Sequence, residues 1–260
     1  MNRFLKRLYF LFCEPFFPFF KKGSSILMYH SVSLNKAFFT VTPENFEQQL
    51  IYLKRNGFEV VFLSVFLEDL KRGRNLKNKV VITFDDGYAD NYFNVLPLLK
   101  KHQIPLTIFI VSDLIGRNMK TTDLVELPIL NREQILEMIE SGLVEIMPHT
   151  EHHKELNIIK LECFPNEIEL SRQKIEAMTN KKASILAYPR GKYNNFVIDY
   201  LRQNNWSGAV TVHDGLVSNL GNIFELPRNS IDSSTSFSEF KGKLNYAIQI
   251  YDNIKKCLKL

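Results

Sequence analysis

The sequence predicts an α/β fold: a single distorted (β/α)7 barrel, closed or left incomplete, spanning residues 23–260 behind a basic-aromatic segment at 1–22. Three observations predict it. Short runs rich in β-branched and aromatic residues alternate about seven times with stretches of helical apolar spacing, the pattern of a parallel sheet with helical crossovers. No linker or internal repeat interrupts them, and 260 residues suit one barrel. Chemistry-bearing side chains recur just past the ends of predicted strands, the face on which such barrels carry their sites. With 45% hydrophobic residues, including 21 Phe and 10 Tyr, the chain has ample material for a core, and 23% charged residues sets it apart from disordered sequences.

The first strand is predicted over 25–29 and ends at His30. Thr42 followed by Pro43 starts a helix, a cap and then proline at the first helical position; Phe46, Leu50 and Leu53 form its apolar stripe and Gly57 stops it. A strand over 58–62 precedes a short helix capped by Ser64 and ending near Gly73. Residues 80–84, Val-Val-Ile-Thr-Phe, read as a fully buried strand, and a helix over 89–101 carries Phe93, Leu96 and Leu99 on one side. Another buried strand covers 105–111. Asn131, with Gln134 three residues later, signals a capping box. A strand over 143–147 runs into His149; a helix around 166–178, a strand over 184–187, a helix over 195–203, a strand over 208–212 and an amphipathic helix within 237–258 complete the chain. Trp206 and most Phe are read as core, and Asp90 as an early-helix acid favoured by the helix dipole.

In the first 22 residues, Arg3, Lys6, Arg7, Lys21 and Lys22 bracket an aromatic-rich apolar run broken by Glu14, Pro15 and Pro18. The breaks argue against a spanning helix, and the lack of a following small-residue cleavage site argues against a cleaved signal. Basic flanks around such a run suit a segment lying in a membrane interface; a terminal extension packed on the barrel is the alternative, and both stand at this point. The net charge of +5 comes with no long basic run, RNA-recognition signature or zinc-knuckle spacing, so no nucleic-acid partner is expected. Cys13, Cys163 and Cys257 are odd in number and far apart, which argues against a disulfide framework or thiolate metal site and favours a reducing compartment.

Four predicted strand ends carry candidate functional residues: His30, Asp85-Asp86, His149 to His153, and Tyr188-Pro189-Arg190-Gly191. Two adjacent carboxylates are costly to bury unless a cation lies beside them or one works as a base in a cleft. An Asp turn at a strand end is the plainer reading of Asp-Asp-Gly taken alone. The histidines change the balance. His149 and His153 are four apart, a spacing that puts both imidazoles on one side of a helical turn. With one carboxylate they make a set of two nitrogens and one oxygen that leaves positions open for water and substrate. Zinc suits that set best, with nickel, cobalt or iron as alternatives. His152 points elsewhere on the turn.

At these residues the sequence resembles the NodB-homology polysaccharide deacetylases of carbohydrate esterase family 4. Thr83-Phe84-Asp85-Asp86-Gly87 is similar to the family's first motif, His149-Thr150-x-x-His153 to its second, and Leu186-Ala187-Tyr188-Pro189-Arg190-Gly191 to its third in an A-Y-P-x-G variant. The resemblance spans roughly residues 25–230 and implies a barrel of the polysaccharide deacetylase type. It implies Asp85 as general base and Asp86, His149 and His153 as metal ligands, with Tyr188, Pro189 and Arg190 bordering the substrate. The usual third motif has Arg where Ala187 stands and an aromatic where Arg190 stands. Arg228, in Leu226-Pro227-Arg228, is the candidate to replace the lost Arg, and this Leu-Pro-Arg is similar to the subgroup containing the biofilm poly-N-acetylglucosamine deacetylases. In that subgroup the general acid comes from an amino-terminal Tyr-His, here Tyr29-His30, with His213 as competitor.

The expected activity is thus that of a zinc-dependent N-deacetylase acting on an N-acetylated amino sugar. The sugar belongs to a polymer or to a polyprenyl- or other lipid-linked glycan, the latter handled at the cytoplasmic face of the membrane; Arg190 suits a phosphate there. The alternatives are a hydrolase of an O-acetyl ester or another amide, and a barrel that binds carbohydrate without turning it over.

Overall fold

The computed structural model describes residues 3–19, 24–218 and 221–257; Lys21 and Lys22 of the basic flank lie outside them. Short parallel strands carry the fold. Strand β1 (Ser25–Tyr29) lies between β8 (Asn229–Ser230) and β3 (Lys79–Phe84), with Leu27 opposite both Asn229 and Ile82. The other edge of β3 is shared: β2 (Glu59–Val60) pairs with its amino end and β4 (Leu106–Ile110) with its carboxyl end. That shared edge distorts the barrel. β4 then pairs along its length with β5 (Val144–Pro148).

On the far side, β6 (Ile185–Ala187) pairs with β7 (Gly208–Val210), and Val210 bridges Leu226 on the segment entering β8. Backbone pairing therefore runs around the ring except between β5 and β6, where no ladder joins the described residues. The barrel is incomplete at that seam. Val80, Val81 and Ile82 are all fully buried, as strands covered by barrel interior on one face and helices on the other must be.

The helix signals hold where a local cap decides the start. Thr42 accepts from Asn45 N at the head of α2 (Pro43–Arg55), whose Phe46, Leu50 and Leu53 are buried. Asn131 and Gln134 form the full capping box of α5 (Arg132–Glu140). They fail where tertiary contacts or prolines compete. Helix α3 (Leu63–Lys71) starts after Phe62 rather than at Ser64, because the Ser64 N–H and hydroxyl both go to the Glu145 carboxylate, at 3.1 and 2.5 Å.

The helix expected over 89–101 is a π-turn at Asn91–Val95 leading into α4 (Leu96–His102); Pro97 has no N–H to close an ordinary turn onto Phe93. Pro165 opens a second π-turn, Pro165–Glu169, before α6 (Leu170–Thr179). The final amphipathic stretch is two helices, α8 (Phe237–Gly242) and α9 (Ala247–Cys257), the second restarted by Asn245 Oδ1 accepting from Ala247 N. Between α6 and α8 in sequence order, α7 (Asn195–Gln203) begins at Asn194, whose side chain accepts from Val197 N.

The amino-terminal segment forms α1 (Arg3–Cys13) and a 3-10 turn, Glu14–Phe19. It packs on α8 and α9 through Phe10, whose ring centroid is 5.4 Å from that of Tyr251. Packing on the barrel is therefore the arrangement the described residues adopt.

Gly87 is the point where the site turns away from β3. Its φ is +79°, and a Cβ there would stand 2.6 Å from Ile110 Cγ1. Gly142 has a similar φ of +71° with nothing within 4 Å of a built Cβ. Gly142→Ala is accordingly expected to cost only left-handed strain, about 1 kcal/mol, and Gly87→Ala that strain plus overpacking, about 3 kcal/mol in all. Urea unfolding of the two variants checks the difference; equal losses would contradict it.

Candidate active site

Asp85 extends β3 by one residue, its N–H donating to Tyr29 O at 2.9 Å. Its buried carboxylate receives both arms of Arg228, Nη1 to Oδ1 at 2.6 Å and Nη2 to Oδ2 at 2.7 Å. Arg228 is itself fully buried; Nε donates to Thr211 O, Nη1 also to Thr83 Oγ1, and the guanidinium stands 5.4 Å from the Phe109 ring centroid. Burial alone would raise the Asp85 carboxyl; the Arg228 charge, helped by His149 and His30, overrides it and holds the group well below the usual carboxylate range.

Asp86 is built differently. Its φ is +68°, so the chain reverses between two neighbouring carboxylates and sends them to different partners. Asp86 Oδ1 is buried and has no hydrogen-bond partner, a costly condition for a carboxylate oxygen. It lies 3.6 Å from His149 Nε2 and 3.5 Å from His153 Nε2. The three ligand atoms all lie within 4.8 Å of one another, a spacing that a divalent ion about 2 Å from each would span. Burial and the Asp86 charge also push the Tyr88 phenol beside this site well above its ordinary range.

The imidazoles are prepared for such a role. His149 Nδ1 lies 2.9 Å from Ala187 O. A carbonyl only accepts, so Nδ1 carries a proton and Nε2 is the nitrogen turned toward Asp86. This contact also ties β5 to β6 across the seam where the ladder is missing. Burial, with the neighbouring His149 ring adding, lowers His153 to about 4, so it is neutral at pH 7, the form that ligates metals.

The expected helical turn over 149–153 is not present. The stretch is a loop in which Thr150 has φ +65° and His153 φ +57°, and these left-handed residues bring the second imidazole back to the first. The loop is tied down from outside. Ser112 N donates to Thr150 O, Glu151 accepts from Ser112 Oγ and pairs with Lys174, and Glu167 accepts from His152 through both N and Nδ1. His152 thus points away, as expected. Asp86, Thr150, His153 and Arg190 account for four of the nine non-glycine residues with positive φ among the described residues, so backbone strain gathers at the three motifs.

A cavity of about 170 Å³ opens on Asp85, Asp86, His149 and His153 and is also lined by His30, Phe38, Phe39, Tyr88, Lys120 and Arg190. The His30 ring lies 5.1 Å from that of Phe39. His213 is exposed and outside that lining; its carbonyl accepts from Arg228 N. The expectation for Tyr188 and Pro189 needs correction. Both are buried away from the cavity; Tyr188 OH donates to Phe224 O at 2.9 Å and its ring stacks on Tyr193. Of that motif, only Arg190 borders the cavity, and its Nη1 lies 3.3 Å from Glu155 Oε1.

Asp90 does precede the Asn91–Val95 turn, as expected of an early-helix acid, but its carboxylate is taken up by tertiary partners. Oδ2 accepts from Ser31 Oγ at 2.5 Å, and Oδ1 from Val32 N and Asn91 Nδ2; Asn91 Nδ2 also donates to His30 O. Asp90 and Asn91 therefore pin the backbone at His30, and burial raises Asp90 to about 6. Sequence reasoning missed this pair, although its place just after Asp85-Asp86-Gly87 was a signal. It also missed Phe38 and Phe39, which sit in a loop without motif.

A family model described as polysaccharide deacetylase matches residues 72–208. YxkH, a Bacillus subtilis protein assigned to the polysaccharide deacetylases, is 31% identical over 216 residues, covering 83% of this chain and 74% of that protein. The poly-β-1,6-N-acetyl-D-glucosamine N-deacetylase of Staphylococcus epidermidis is 28% identical over 198 residues, 73% of this chain and 67% of that protein. Among solved structures, IcaB from Ammonifex degensii superposes with a TM-score of 0.77 at 24% identity over 86% of this chain and 97% of its own. A Streptococcus pyogenes deacetylase in complex with acetate gives 0.76 at 24% identity over 86% and 99%. At that identity these two show the fold alone.

With its folded-state pKa raised, Asp90 contributes stability that is fully present below the ordinary carboxyl range and lost as pH rises through about 6. Asp90→Asn removes this dependence. Urea unfolding at pH 4 and pH 8 is expected to show the variant gaining about 2 kcal/mol on the parent between the two. A constant difference would contradict the burial of an ionisable group here.

Proposed function

The chain belongs to the polysaccharide deacetylase family, hydrolases acting on the amide bonds of N-acetyl sugars, and from that premise we propose that it removes acetate from N-acetylglucosamine units of a glycan, using a divalent metal held by Asp86, His149 and His153. Two imidazoles and one carboxylate favour zinc. The observation that carries this reading is the split between adjacent acids: Asp85 is neutralised by Arg228, whereas Asp86 Oδ1 is left without a partner between two histidines. A bound divalent ion polarises the amide carbonyl and lowers the pKa of an adjacent water, which matters here because a carboxylate paired as tightly as Asp85 is a weak base.

The chain's own residues then divide the proton work. Asp85 stays ionised at neutral pH and accepts the proton of the attacking water. His30 is assigned the proton that the amine needs to leave; in support, it lines the cavity and His213 does not. For the developing oxyanion, the N–H groups of Gly191 and Lys192 already donate to Tyr188 O and Pro189 O, which narrows that role to the N–H of Arg190. Arg228 acts through Asp85, fixing the direction of its carboxylate in place of the Arg absent at Ala187.

A glycan polymer is the substrate favoured, since the Staphylococcus epidermidis relative is named for one. A lipid-linked amino sugar at the cytoplasmic membrane face is the second reading. It draws support from the exposed apolar side chains of α1 and none from Arg190, whose charge is engaged by Glu155.

Acetate release from an N-acetylglucosamine oligomer, beside an O-acetylated sugar, tests the reaction class. Asp85→Asn is expected to keep its metal and lose roughly 10²-fold or more in turnover. His149→Ala is expected to lose the metal, and His30→Ala to keep it with turnover reduced. Near-parental acetate release by Asp85→Asn would overturn the base assignment, and faster release from the O-acetyl sugar would overturn the amide.

A further inference from the structure

We propose that the outer face of α1 and the turn after it is a docking surface for an anionic lipid bilayer. This goes beyond the deacetylase reading and does not depend on it. A terminal helix packed on a soluble protein ordinarily turns apolar side chains inward and charges outward. Here the outer face reverses that order. Leu5, Leu8, Phe12 and Phe16 recur at helical spacing on the side away from Phe10, and all are exposed; Phe12 is 77%, Phe16 52% and Phe19 84% exposed. Phe12 and Phe16 have ring centroids 6.4 Å apart, so they form one continuous strip.

Lys6, Tyr9 and Glu14 face the barrel instead. Glu14, the only acid in residues 1–22, bonds Ser238 and pairs with Lys241 at 2.6 Å. Lys6 pairs with Glu239 at 2.8 Å and lies 3.7 Å from Asp214, and Tyr9 OH donates to Ala247 O. Among the described residues the exposed strip is leucine and phenylalanine; Arg7 is exposed at its flank, and Lys21 and Lys22 follow in sequence.

The sequence around the strip supplies Arg7, Lys21 and Lys22, and its one acid, Glu14, is already paired with Lys241; that charge balance matches an anionic lipid surface, where basic residues add Coulomb attraction to insertion of the phenylalanines at headgroup depth. No helix among the described residues is long and apolar enough to cross a membrane, so contact is by lying on the surface. The site mouth is near. Arg7 borders a cleft with Ser233 to Phe237, and Ser233 Oγ donates to the carbonyl of Phe38, a residue of the active-site lining.

Co-sedimentation of the full chain with vesicles tests this directly, using phosphatidylglycerol mixed with phosphatidylcholine against phosphatidylcholine alone. The parent is expected to bind the anionic vesicles and to retain much of that binding in high salt. Leu8→Glu with Phe12→Glu is expected to lower the bound fraction roughly tenfold or more while acetate release from a soluble oligomer is unchanged. Phe16→Asp, made separately, should lower it in the same direction, and Arg7→Glu should weaken binding most at low salt. Equal binding by parent and double variant, or no binding by the parent, would overturn the proposal. So would light scattering that shows a dimer abolished by the same substitutions with no vesicle binding, since the strip would then be a contact between two copies of the chain.

Discussion

The site depends on one buried ion pair. Arg228 and Asp85 are both inside the barrel, where either charge alone would be prohibitive, and the two-armed contact at 2.6 and 2.7 Å lets both exist. Four hydrogen bonds, two to Asp85 and one each to Thr211 O and Thr83 Oγ1, fix the guanidinium between the carboxyl end of β3 and the residue after β7. Because Asp85 is fully engaged on its own side of the chain reversal, Asp86 is free to face the histidines with an unpartnered oxygen. The same residue also closes the ring: Arg228 N donates to His213 O on the segment after β7, one residue before β8 begins.

The incomplete barrel and the histidine pair are linked through geometry. A ladder between β5 and β6 would consume the Ala187 carbonyl, which instead accepts from His149 Nδ1. The missing ladder thus supplies the acceptor that sets the tautomer of a prospective ligand. The strain in the neighbouring loop follows the same economy of space. A helical turn would place His149 and His153 one turn apart along an axis; two left-handed residues fold the chain so that both rings face Asp86, with centroids 4.9 Å apart. The Glu151–Lys174 and Glu167–Lys154 pairs on the outer side hold that loop closed.

Most of the fold was legible because it is written in local signals. Alternating buried strands and capped helices such as those at Thr42 and Asn131 need no knowledge of distant residues. The identities of Asp85, Asp86, His149 and His153 as a cluster were legible because such residues are expensive in a core strand end without a purpose. What stayed hidden depended on long-range partners or on backbone angles. Ser64 looks like a cap until Glu145, far along the chain, claims it. Asp90 looks like an early-helix acid serving the helix dipole until Ser31 and Val32 bond its carboxylate. Tyr188 sits inside a functional motif, yet its hydroxyl serves Phe224 O in a secondary core. The four-residue spacing of the histidines was read as helical because Thr150, a β-branched residue, gives no hint that it adopts a left-handed φ.

The most direct test of the compensated pair is a double-mutant cycle on stability. Arg228→Met, Asp85→Asn and the double variant are unfolded in urea at neutral pH. Arg228→Met leaves a buried carboxylate without its counter-charge and is expected to cost about 3–5 kcal/mol. Adding Asp85→Asn removes the orphaned charge, so the double variant should be more stable than Arg228→Met alone. Strictly additive losses would contradict the pair as the interaction on which the site is built.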